Sequence, residues 1–400
     1  MRRVCVFTGS RADYGPLLAV IAALHKDPDI ELAVLASGGH LVEAQGTTVD
    51  QIEADGFPVS ERVEMVLASD TATAVAKSFG LGVIGYADAL ERLRPEILMV
   101  LGDRYEALAV TVAAALRLLP VAHIGGGELS YGSTDDSVRH AITKLAHLHF
   151  TSNEEFRQRV IQLGEDPSRV HAFGAPGLDT IRTMPLLGRG ELAEALGLDL
   201  TGPLFAVTYH PATADPRGSR DGVLGLLAAL DRLPEATVVF TGTNVDQGGA
   251  GVFAPIRDYV SAHPGRAMAR ASLGQVTYLS LVAQAAVVIG NSSSGLAEAP
   301  ALRTATVNIG SRQDGRPRAG SVIDCGESAA EIEGAIRQSL SAEHQAIAAV
   351  AVSPFGDGHA AERIAAVLKI VSVDALTVKG FADVTQPSGD FLDDARLGDP

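Results

Sequence analysis

The amino-acid sequence predicts an α/β fold made of two doubly wound domains. Short β-branched apolar runs alternate along the chain with longer Ala- and Leu-rich segments. The apolar runs are nearly continuous, which is typical of parallel strands that are buried on both faces. Residues 184–202 interrupt this alternation with Pro185 and four glycines, so we expect one Rossmann-like sheet before this break and a second one after it.

The elements follow in order from the same pattern. The predicted strands cover residues 4–7, 32–36, 97–101, 121–124, 148–151 and 170–173 before the break, and 205–209, 237–241, 286–289 and 306–309 after it. Helical patterns lie between them, at residues 17–24, 87–93, 107–116, 154–163 and 223–230. We therefore predict an N-terminal domain at residues 1–185, a C-terminal nucleotide-binding domain at 186–358, a final amphipathic helix at 359–371 and a poorly ordered acidic tail at 372–400.

Composition narrows the classes of function. At roughly 150 residues per domain, 400 residues correspond to two or three domains. With 32 basic and 48 acidic residues the net charge is −16, which disfavours nucleic acid and anionic membranes as partners. Two cysteines give neither a disulfide framework nor zinc spacing, and no apolar run approaches the roughly 20 residues of a membrane helix. We expect a cytoplasmic protein in a reducing compartment.

Two patterns have structural explanations that compete with functional ones. The sequence GLGVIG at residues 80–85 matches a dinucleotide-binding fingerprint, but a capped helix precedes it where the fingerprint needs a strand. We therefore expect its glycines to permit close helix packing. His147 and His149 lie in an apolar segment without a carboxylate at metal-ligand spacing, so we interpret both as structural and predict no metal site.

Two loops carry signals for anion binding. Residues 8–16 follow the first strand and open a helix, where free N–H groups and the charge of Arg11 attract anions; the alternative is an ordinary strand–helix turn. Residues 290–295, GNSSSG, stand between a strand and a helix, and can cradle a diphosphate through Ser292, Ser293 and backbone N–H groups. The alternative is an N-capping serine run. Three later arginines supply countercharge, at positions Arg312, Arg316 and Arg318.

Acidic residues at strand ends carry the predicted chemistry. Asp103 follows a buried strand, Glu128 follows the next one, and Asp135 begins a predicted helix. Carboxylates that meet in one cleft can have separated pKa values and divide acid and base roles between them. Asp135 can also act as a helix N-cap, and the two roles are compatible. His210 ends a further strand and is either a ligand residue or a structural one.

Several of these motifs, taken together and in this order, resemble the hydrolysing branch of the UDP-N-acetylglucosamine 2-epimerase family. The resemblance extends from residue 4 to about residue 368. It rests on SRADYG at 10–15, GDRYE at 102–106, HIGGGE at 123–128, DDSVRHAITK at 135–144, GNSSSG at 290–295 and FGDGHA at 355–360.

The resemblance implies a glycosyltransferase-B-like fold with UDP in the cleft between the two domains. It further implies that the nucleotide is held by six residues, Arg11, His210, Ser292, Ser293, Glu298 and Arg312. Among them, Glu298 would bind the ribose hydroxyls, and Gly295 would end the serine loop. Gly174 would line the cleft through its backbone. Asp103 and Asp135 match the family's catalytic carboxylates, and Glu128 matches the second acidic position of its motif. Many members carry Glu or His where this chain has Gly125, which cannot transfer a proton.

The implied reaction converts UDP-N-acetylglucosamine and water into N-acetylmannosamine and UDP, without a cofactor, in a homo-oligomeric enzyme of sialic-acid-type synthesis. UDP leaves by elimination, and the resulting 2-acetamidoglucal is hydrated. The sequence leaves open which of Asp103, Glu128 and Asp135 is the base. It also leaves open the same chemistry on a UDP- or GDP-linked 2,4-diacetamido hexose for legionaminic-type acids. A glycosyltransferase or a nucleotide-sugar sensor are alternatives of another class.

Overall fold

The structure is a computed structural model that describes residues 1–43, 46–69, 71–129, 134–210, 220–242 and 250–383. Within these residues the strands form two sheets in which every pairing is parallel. Helices follow the strands and cover both faces of each sheet. The predicted class, an α/β fold with two doubly wound sheets, is therefore confirmed.

The first sheet has the strand order β3-β2-β1-β4-β5-β6-β7, and the second has the order β10-β9-β8-β11-β12-β13, among the described residues. The strands of the first sheet are β1 (Arg2–Thr8), β2 (Ile30–Ser37), β3 (Val59–Val63), β4 (Ile97–Leu101), β5 (Val121–Ile124), β6 (Leu148–Thr151) and β7 (Val170–Ala172). Those of the second are β8 (Leu204–Thr208), β9 (Thr237–Thr241), β10 (Ala267–Arg270), β11 (Val287–Gly290), β12 (Thr306–Ile309) and β13 (Val322–Cys325).

The helices on the first sheet's side are α1 (Arg11–Lys26), α2 (Val49–Ala54), α3 (Ala72–Leu93), α4 (Tyr105–Leu116), α5 (Thr134–Leu145), α6 (Glu154–Gln162) and α7 (Gly177–Thr183). After them come α8 (Arg189–Leu196), α9 (Arg220–Asp231), α10 (Ala250–Ala262), α11 (Gln275–Gln284), α12 (Ser294–Ala301), α13 (Ala329–Ser339), α14 (Ala342–Ala349), α15 (Ala360–Ile370) and α16 (Val373–Thr377). None of the described helices is both long and apolar enough to cross a bilayer.

Three strands that the sequence pattern did not predict, β3, β10 and β13, all lie at sheet edges. An edge strand has one neighbour and is only partly covered, so its sequence need not be a continuous apolar run. In β3, whose sequence is VSERV, the more exposed positions alternate with the more buried ones. The predicted central strands have the continuous burial that their composition indicated.

The GLGVIG sequence lies inside α3 and not after a strand. A Cβ at Gly82 would come within 2.9 Å of Met65 Cε, and one at Gly85 within 2.6 Å of Val63 Cγ1. These glycines let the helix approach β3 and the residues after it. The dinucleotide interpretation is therefore wrong, and the packing interpretation is confirmed.

Helix α15 completes the apolar core of the first sheet. Ile364 and Leu368 of α15 are fully buried in the same apolar cluster as residues of β1 and α1. Asp179 of α7 accepts hydrogen bonds from the first backbone N–H groups of α15, at 3.1 Å from Ala360 N and 2.8 Å from Ala361 N. The side chain thus caps α15 from another helix.

The expectation of a poorly ordered tail from residue 372 is wrong for residues 372–383. Ser372 caps the short helix α16, and Leu376 of that helix is buried against the first core. The sequence pattern did not predict these apolar contacts, because the helical periodicity of apolar residues ends after α15. The acidic stretch at 389–394 lies outside the described residues.

Candidate active site

Strand order reverses between β1 and β4 in the first sheet and between β8 and β11 in the second. Ligands of open α/β sheets bind beyond the carboxyl ends of the strands at such reversals. The four sequence motifs around Arg11, Asp103, His210 and Ser292 follow these four strands in turn. Topology therefore places the predicted binding and acidic loops at the two positions where ligand crevices form.

Two cavities lie at these strand ends. The larger, of about 810 Å³, is lined by both halves of the chain, including Arg11 from the first and His210 and Ser292 from the second. The smaller, of about 230 Å³, is lined by Asp103 and Glu128, and it also brings together Gly125, Gly174 and Glu298. The predicted residues thus divide into a nucleotide-sized cleft and an acidic cavity.

The serine loop and His210 are built as one unit. Gly290 has φ +135°, and a Cβ there would lie 1.9 Å from the carbonyl oxygen of Thr208, so only glycine fits. The Asn291 side chain accepts a hydrogen bond from His210 N at 2.7 Å and donates to His210 O at 2.9 Å. This amide fixes the end of β8 against the loop after β11.

Arg312 stabilises the backbone of the serine loop. Its Nη1 donates to the carbonyl oxygen of Asn291 at 2.9 Å, and Gln313 Nε2 donates to the same oxygen at 2.8 Å. Arg312 is not among the residues that line either cavity. The structure therefore places Arg312 beside the serine loop, where it holds the loop's backbone.

The remaining positions of the GNSSSG motif have different surroundings. Ser293 precedes α12, is exposed, makes no side-chain cap hydrogen bond and lines neither cavity. Gly295 is buried, and a Cβ there would come within 2.9 Å of Thr306 Cγ2. Tyr278 lines the larger cleft and donates a hydrogen bond to Ser294 Oγ at 2.6 Å. No motif in the sequence indicated this residue.

A buried arginine organises the acidic cavity. Arg139 of α5 is 3% exposed, and its Nη2 forms a short ion pair with Asp103 Oδ2. Its Nη1 donates to Asp136 Oδ1 at 3.1 Å and to the backbone oxygen of Glu128 at 2.7 Å. Sequence reasoning did not select Arg139 as a site residue. The available signal was its position three residues after Asp136, which is the spacing of a helical ion pair.

The two carboxyls of the cavity differ in their partners. Burial raises the pKa of Asp103, and the Arg139 guanidinium opposes that rise by direct pairing. Burial also raises the pKa of Glu128, whose Oε1 accepts a hydrogen bond from Ser152 Oγ at 3.3 Å. Asp135 is exposed and does not line the cavity, but its charge contributes to the raised pKa of Asp103. All three carboxylates therefore lie in one electrostatic neighbourhood.

The second half also contributes to this neighbourhood. Burial raises the pKa values of Asp103 and Glu128, and the charge of Arg316, on the segment after β12, opposes both rises. Glu298 of α12 lines the acidic cavity and not the larger cleft. Its Oε2 is covered and has no hydrogen-bond partner among the described residues, and burial raises its pKa. A buried acceptor of this kind is suited to a ligand hydroxyl.

Glycines and apolar side chains form the rest of the small cavity's wall. Gly125 has φ +85°, and a Cβ there would meet only the backbone of Gly102, at 3.8 Å from its nitrogen. Gly174 has φ +104° and approaches Gly356, so its backbone forms the wall as expected. The apolar lining comes from Pro16, Leu101, Ile124, Ala175, Pro176, Leu178 and Ala297.

The two histidines interpreted as structural have protein partners. His149 Nε2 lies 3.0 Å from Glu165 Oε2, and His147 Nδ1 accepts a hydrogen bond from Val121 N at 3.2 Å. Across the described part of the chain, no group of three or more His, Cys, Asp and Glu side chains is arranged to hold a metal ion.

Comparison with known proteins identifies the family. The family model of UDP-N-acetylglucosamine 2-epimerase matches residues 22–369. A hydrolysing GDP/UDP-N,N'-diacetylbacillosamine 2-epimerase of Campylobacter jejuni is 36% identical over 81% of this chain and 84% of its own. A hydrolysing UDP-N,N'-diacetylbacillosamine 2-epimerase of Legionella pneumophila is 32% identical over 93% of this chain and 96% of its own.

The fold has a matching counterpart among solved structures. The UDP-N-acetylglucosamine 2-epimerase of Neisseria meningitidis, solved with UDP-N-acetylglucosamine bound, superposes with a TM-score of 0.73 at 19% identity, over 92% of this chain and 99% of the other. The glycosyltransferase-B-like arrangement that the resemblance implied is therefore confirmed. With the family match and the two relatives above 30% identity, the chain belongs to the UDP-N-acetylglucosamine 2-epimerase family and is an enzyme of its hydrolysing branch.

Proposed function

We propose that the chain converts UDP-N-acetylglucosamine and water into N-acetylmannosamine and UDP. The observation that carries the proposal is the position of Asp103, Glu128 and Arg139 in a small cavity beside a cleft that holds Arg11 and Ser292. The small cavity has room for one sugar ring, and the cleft has room for a nucleotide. Proton-transfer groups then stand at the sugar while cations and hydroxyls stand at the diphosphate.

In the first step a base removes the C2 proton while the C1–O bond breaks and UDP leaves with the electron pair. We assign the base role to Asp103, because its ion pair with Arg139 favours the carboxylate form. Arg11 and the N-terminal end of α12 stabilise the charge that develops on the diphosphate. The product of this step is 2-acetamidoglucal, with a double bond between C1 and C2.

In the second step the hydroxyl of water adds to C1, the other proton of that water passes through Asp135 to solvent, and Glu128 delivers a proton to C2 on the face opposite to the one that the first proton left. Asp103 and Glu128 then regain their starting protonation by exchange with solvent. We assign the acid role to Glu128, because burial raises its pKa and favours the protonated form. Asp135 positions the water. Gly125 offers no titratable group, so Glu128 is the proton donor that the HIGGGE motif provides.

The binding roles are proposed on the same basis. His210 and Ser292, which line the larger cleft, hold the diphosphate together with Ser293 of the same loop, and Gly295 packs the start of the helix that follows. Arg312 acts through the loop backbone that it supports. Glu298 binds substrate hydroxyls through its unpaired Oε2, and Gly174 bounds the sugar.

A second candidate substrate is a UDP- or GDP-linked 2,4-diacetamido-6-deoxy hexose. The relatives from Campylobacter jejuni and Legionella pneumophila, named for diacetylbacillosamine, favour it. The apolar wall of the small cavity also favours it, since a 6-deoxy sugar with two acetyl methyls presents fewer hydroxyls to bury. The open space beside Gly125 would accommodate the additional acetamido group.

Proton NMR of the purified protein with each nucleotide sugar in D₂O tests both candidates. We expect release of the nucleoside diphosphate and incorporation of deuterium at C2 of a manno-configured free sugar. Turnover of the diacetamido substrate alone selects the second candidate. Release without deuterium contradicts epimerisation and indicates simple hydrolysis or transfer, and Asp103→Asn serves as the matched inactive control.

We further propose a cytoplasmic homo-oligomer whose product feeds synthesis of sialic-acid-type sugars. The two free thiols, Cys5 and Cys325, support a reducing compartment. The division into an N-terminal domain at 1–185 and a nucleotide-binding domain at 186–358 is likewise a proposal. It is supported by α8, whose Leu192 and Leu196 are buried in the second core.

A further inference from the structure

We propose that Lys379 is a positioning residue for the epimerisation reaction, acting through helix α5; this inference rests on the proposed function. Lys379 lies on residues 372–383, a segment that we call the C-terminal strap. The match to the family model ends at residue 369, before the strap begins.

The strap is held against the N-terminal half by main-chain contacts. Arg169 donates from Nη1 to Val378 O at 3.1 Å and from Nη2 to Ala375 O at 2.7 Å. Farther along, Ala382 N donates to Gly164 O at 2.9 Å. The ring of Phe381 lies so close to Gly164 that a Cβ there would be 2.3 Å from the ring. The strap thus has a defined path across the surface.

Lys379 reaches from this path to the last turn of α5. Its Nζ donates to Lys144 O at 2.6 Å and to Thr143 O at 3.3 Å, and it also bonds Ala146 O. These carbonyls are at the end of a helix, where they lack partners in the helix itself. A cation here satisfies them and is favoured by the helix dipole. Lys379 is therefore the C-terminal cap of α5, supplied from a distant part of the chain.

A buried carboxylate fixes the lysine in this position. Glu165 is 3% exposed, and its Oε2 lies 2.8 Å from Lys379 Nζ. The same carboxylate pairs with Lys144 Nζ at 2.7 Å and with His149 Nε2 at 3.0 Å. Although burial alone would raise it, these partners hold the pKa of Glu165 at about 2. These contacts enclose Lys379 and leave it little freedom of orientation.

The other end of α5 carries the acidic site. Arg139 pairs with Asp103 and with Asp136, and Asp135 stands in the first turn. In the last turns, Thr143 Oγ1 lies 3.2 Å from His123 Nδ1.

His123 carries this contact to the loop that bears the base. Its Nε2 lies 2.8 Å from Gly102 O, next to Asp103. A carbonyl only accepts, so Nε2 carries the ring proton. Helix α5 is therefore linked to the loop that bears Asp103 in two ways: directly through Arg139, and indirectly through His123, which contacts Thr143.

The length of α5 makes this coupling direct. Its 12 residues span about 18 Å, so the helix moves as one short rigid element. Without Lys379, the carbonyl groups of the last turn of α5 lose their partner and the helix can tilt. Because α5 is short and rigid, such a tilt displaces Arg139 and, through His123, the loop that precedes Asp103. Misplacing a reacting group by about 1 Å can cost as much as 10²-fold in rate. None of the described residues that line the nucleotide cleft belongs to α5, to the strap or to the loop that bears Asp103, so we expect nucleotide binding to be affected little.

The experiment compares three variants of the full chain. Lys379→Met keeps the stem and removes the charge, and Lys379→Arg restores it. The control is Lys369→Met, because Lys369 Nζ pairs with Asp27 at 3.2 Å and Asp29 at 2.6 Å without touching α5. The readouts are kcat, KM, UDP affinity by calorimetry, and hydrogen exchange of peptides covering Thr134–Leu145.

We expect kcat of Lys379→Met to fall about tenfold or more, with KM and UDP affinity within about twofold of wild type. Exchange in the peptides of α5 should rise about tenfold, Lys379→Arg should recover most of kcat, and the control should behave as wild type. An unchanged kcat in folded Lys379→Met, or an equal loss in the control, overturns the inference.

Failure of the proposed function can be distinguished from failure of the inference about Lys379. If the wild-type protein turns over no nucleotide sugar, the proposed function falls. Hydrogen exchange still tests the strap in that case: faster exchange confined to α5 in Lys379→Met supports its hold on the helix, and unchanged exchange overturns it.

Discussion

The two halves of the molecule share one sheet plan but differ in what their central strands carry. In the first half, the strand ends present ionisable side chains in a dense network, with Arg139 between Asp103 and Asp136. In the second half, they present small hydroxyls and glycines, such as Ser292 after Gly290, braced by the amide of Asn291. The same topology therefore supports two different kinds of chemistry.

The difference reflects what each task requires. Proton transfer requires titratable groups whose pKa values are moved by burial and by neighbouring charges. Binding a diphosphate requires donors in fixed positions and a nearby cation, with no titration near neutral pH. If this division is correct, variants of the first half should change rate, and variants of the second half should change nucleotide affinity.

The largest effect is expected for Asp103→Asn. The amide cannot accept the C2 proton, so we expect kcat to fall by about 10²–10⁴-fold while UDP affinity stays near that of wild type. Single-turnover kinetics and calorimetry measure the two quantities separately. Turnover at the wild-type rate would remove Asp103 from the mechanism.

A smaller effect, with a distinct signature, is expected for Glu128→Gln. Burial raises the pKa of Glu128 and that of Asp103, and the reaction as proposed needs Glu128 protonated and Asp103 ionised. Wild-type kcat should therefore fall as the pH drops through the Asp103 pKa, and fall again as the pH rises through the Glu128 pKa.

In Glu128→Gln the alkaline limb of this profile should disappear, and kcat at the optimum should fall by about 10²-fold. The profile is measured as kcat against pH, with circular dichroism as a control for folding at each pH. An alkaline limb that persists in the variant would assign the acid role to another group.

The smallest effect is expected for Arg11→Ala. Arg11 is exposed at the start of α1 and faces the larger cleft, so its loss should weaken UDP binding by about tenfold, the range of a charge-assisted hydrogen bond. The rate at saturating substrate should change little. Calorimetry with UDP measures the first quantity, and Arg257→Ala, an exposed arginine on α10, is the matched control.

Much of the fold could be predicted because central parallel strands have a distinctive composition. Strands such as β4 and β9 are continuous apolar runs, and their bounds follow the sequence pattern directly. The edge strand β3 could not be predicted in this way, because polar residues interrupt its apolar pattern: Ser60 and Arg62 at exposed positions and Glu61 at a partly buried one. Its place is set by pairing with β2, which is a tertiary property.

The candidate site shows the same limit. Motifs at strand ends led to Asp103, Glu128 and Ser292, and these residues line the two cavities because topology brings their loops together. The role of Arg139 depends on how α5 packs against α4 and β5, which spacing along the chain does not reveal. For Arg312, the sequence indicated countercharge, but the direction of the side chain toward Asn291 O is decided by the loop that encloses it.

The participation of α15 in the first core has a consequence for how the protein is made. Ile364 and Leu368 belong to a cluster whose buried members come from the first 150 residues and from α15 and α16. On the ribosome, this cluster stays incomplete until nearly the whole polypeptide has emerged, whereas the second sheet closes from contiguous sequence. The later-made half is thus the first that can reach its final packing during synthesis, and the earlier-made half waits for α15 and α16.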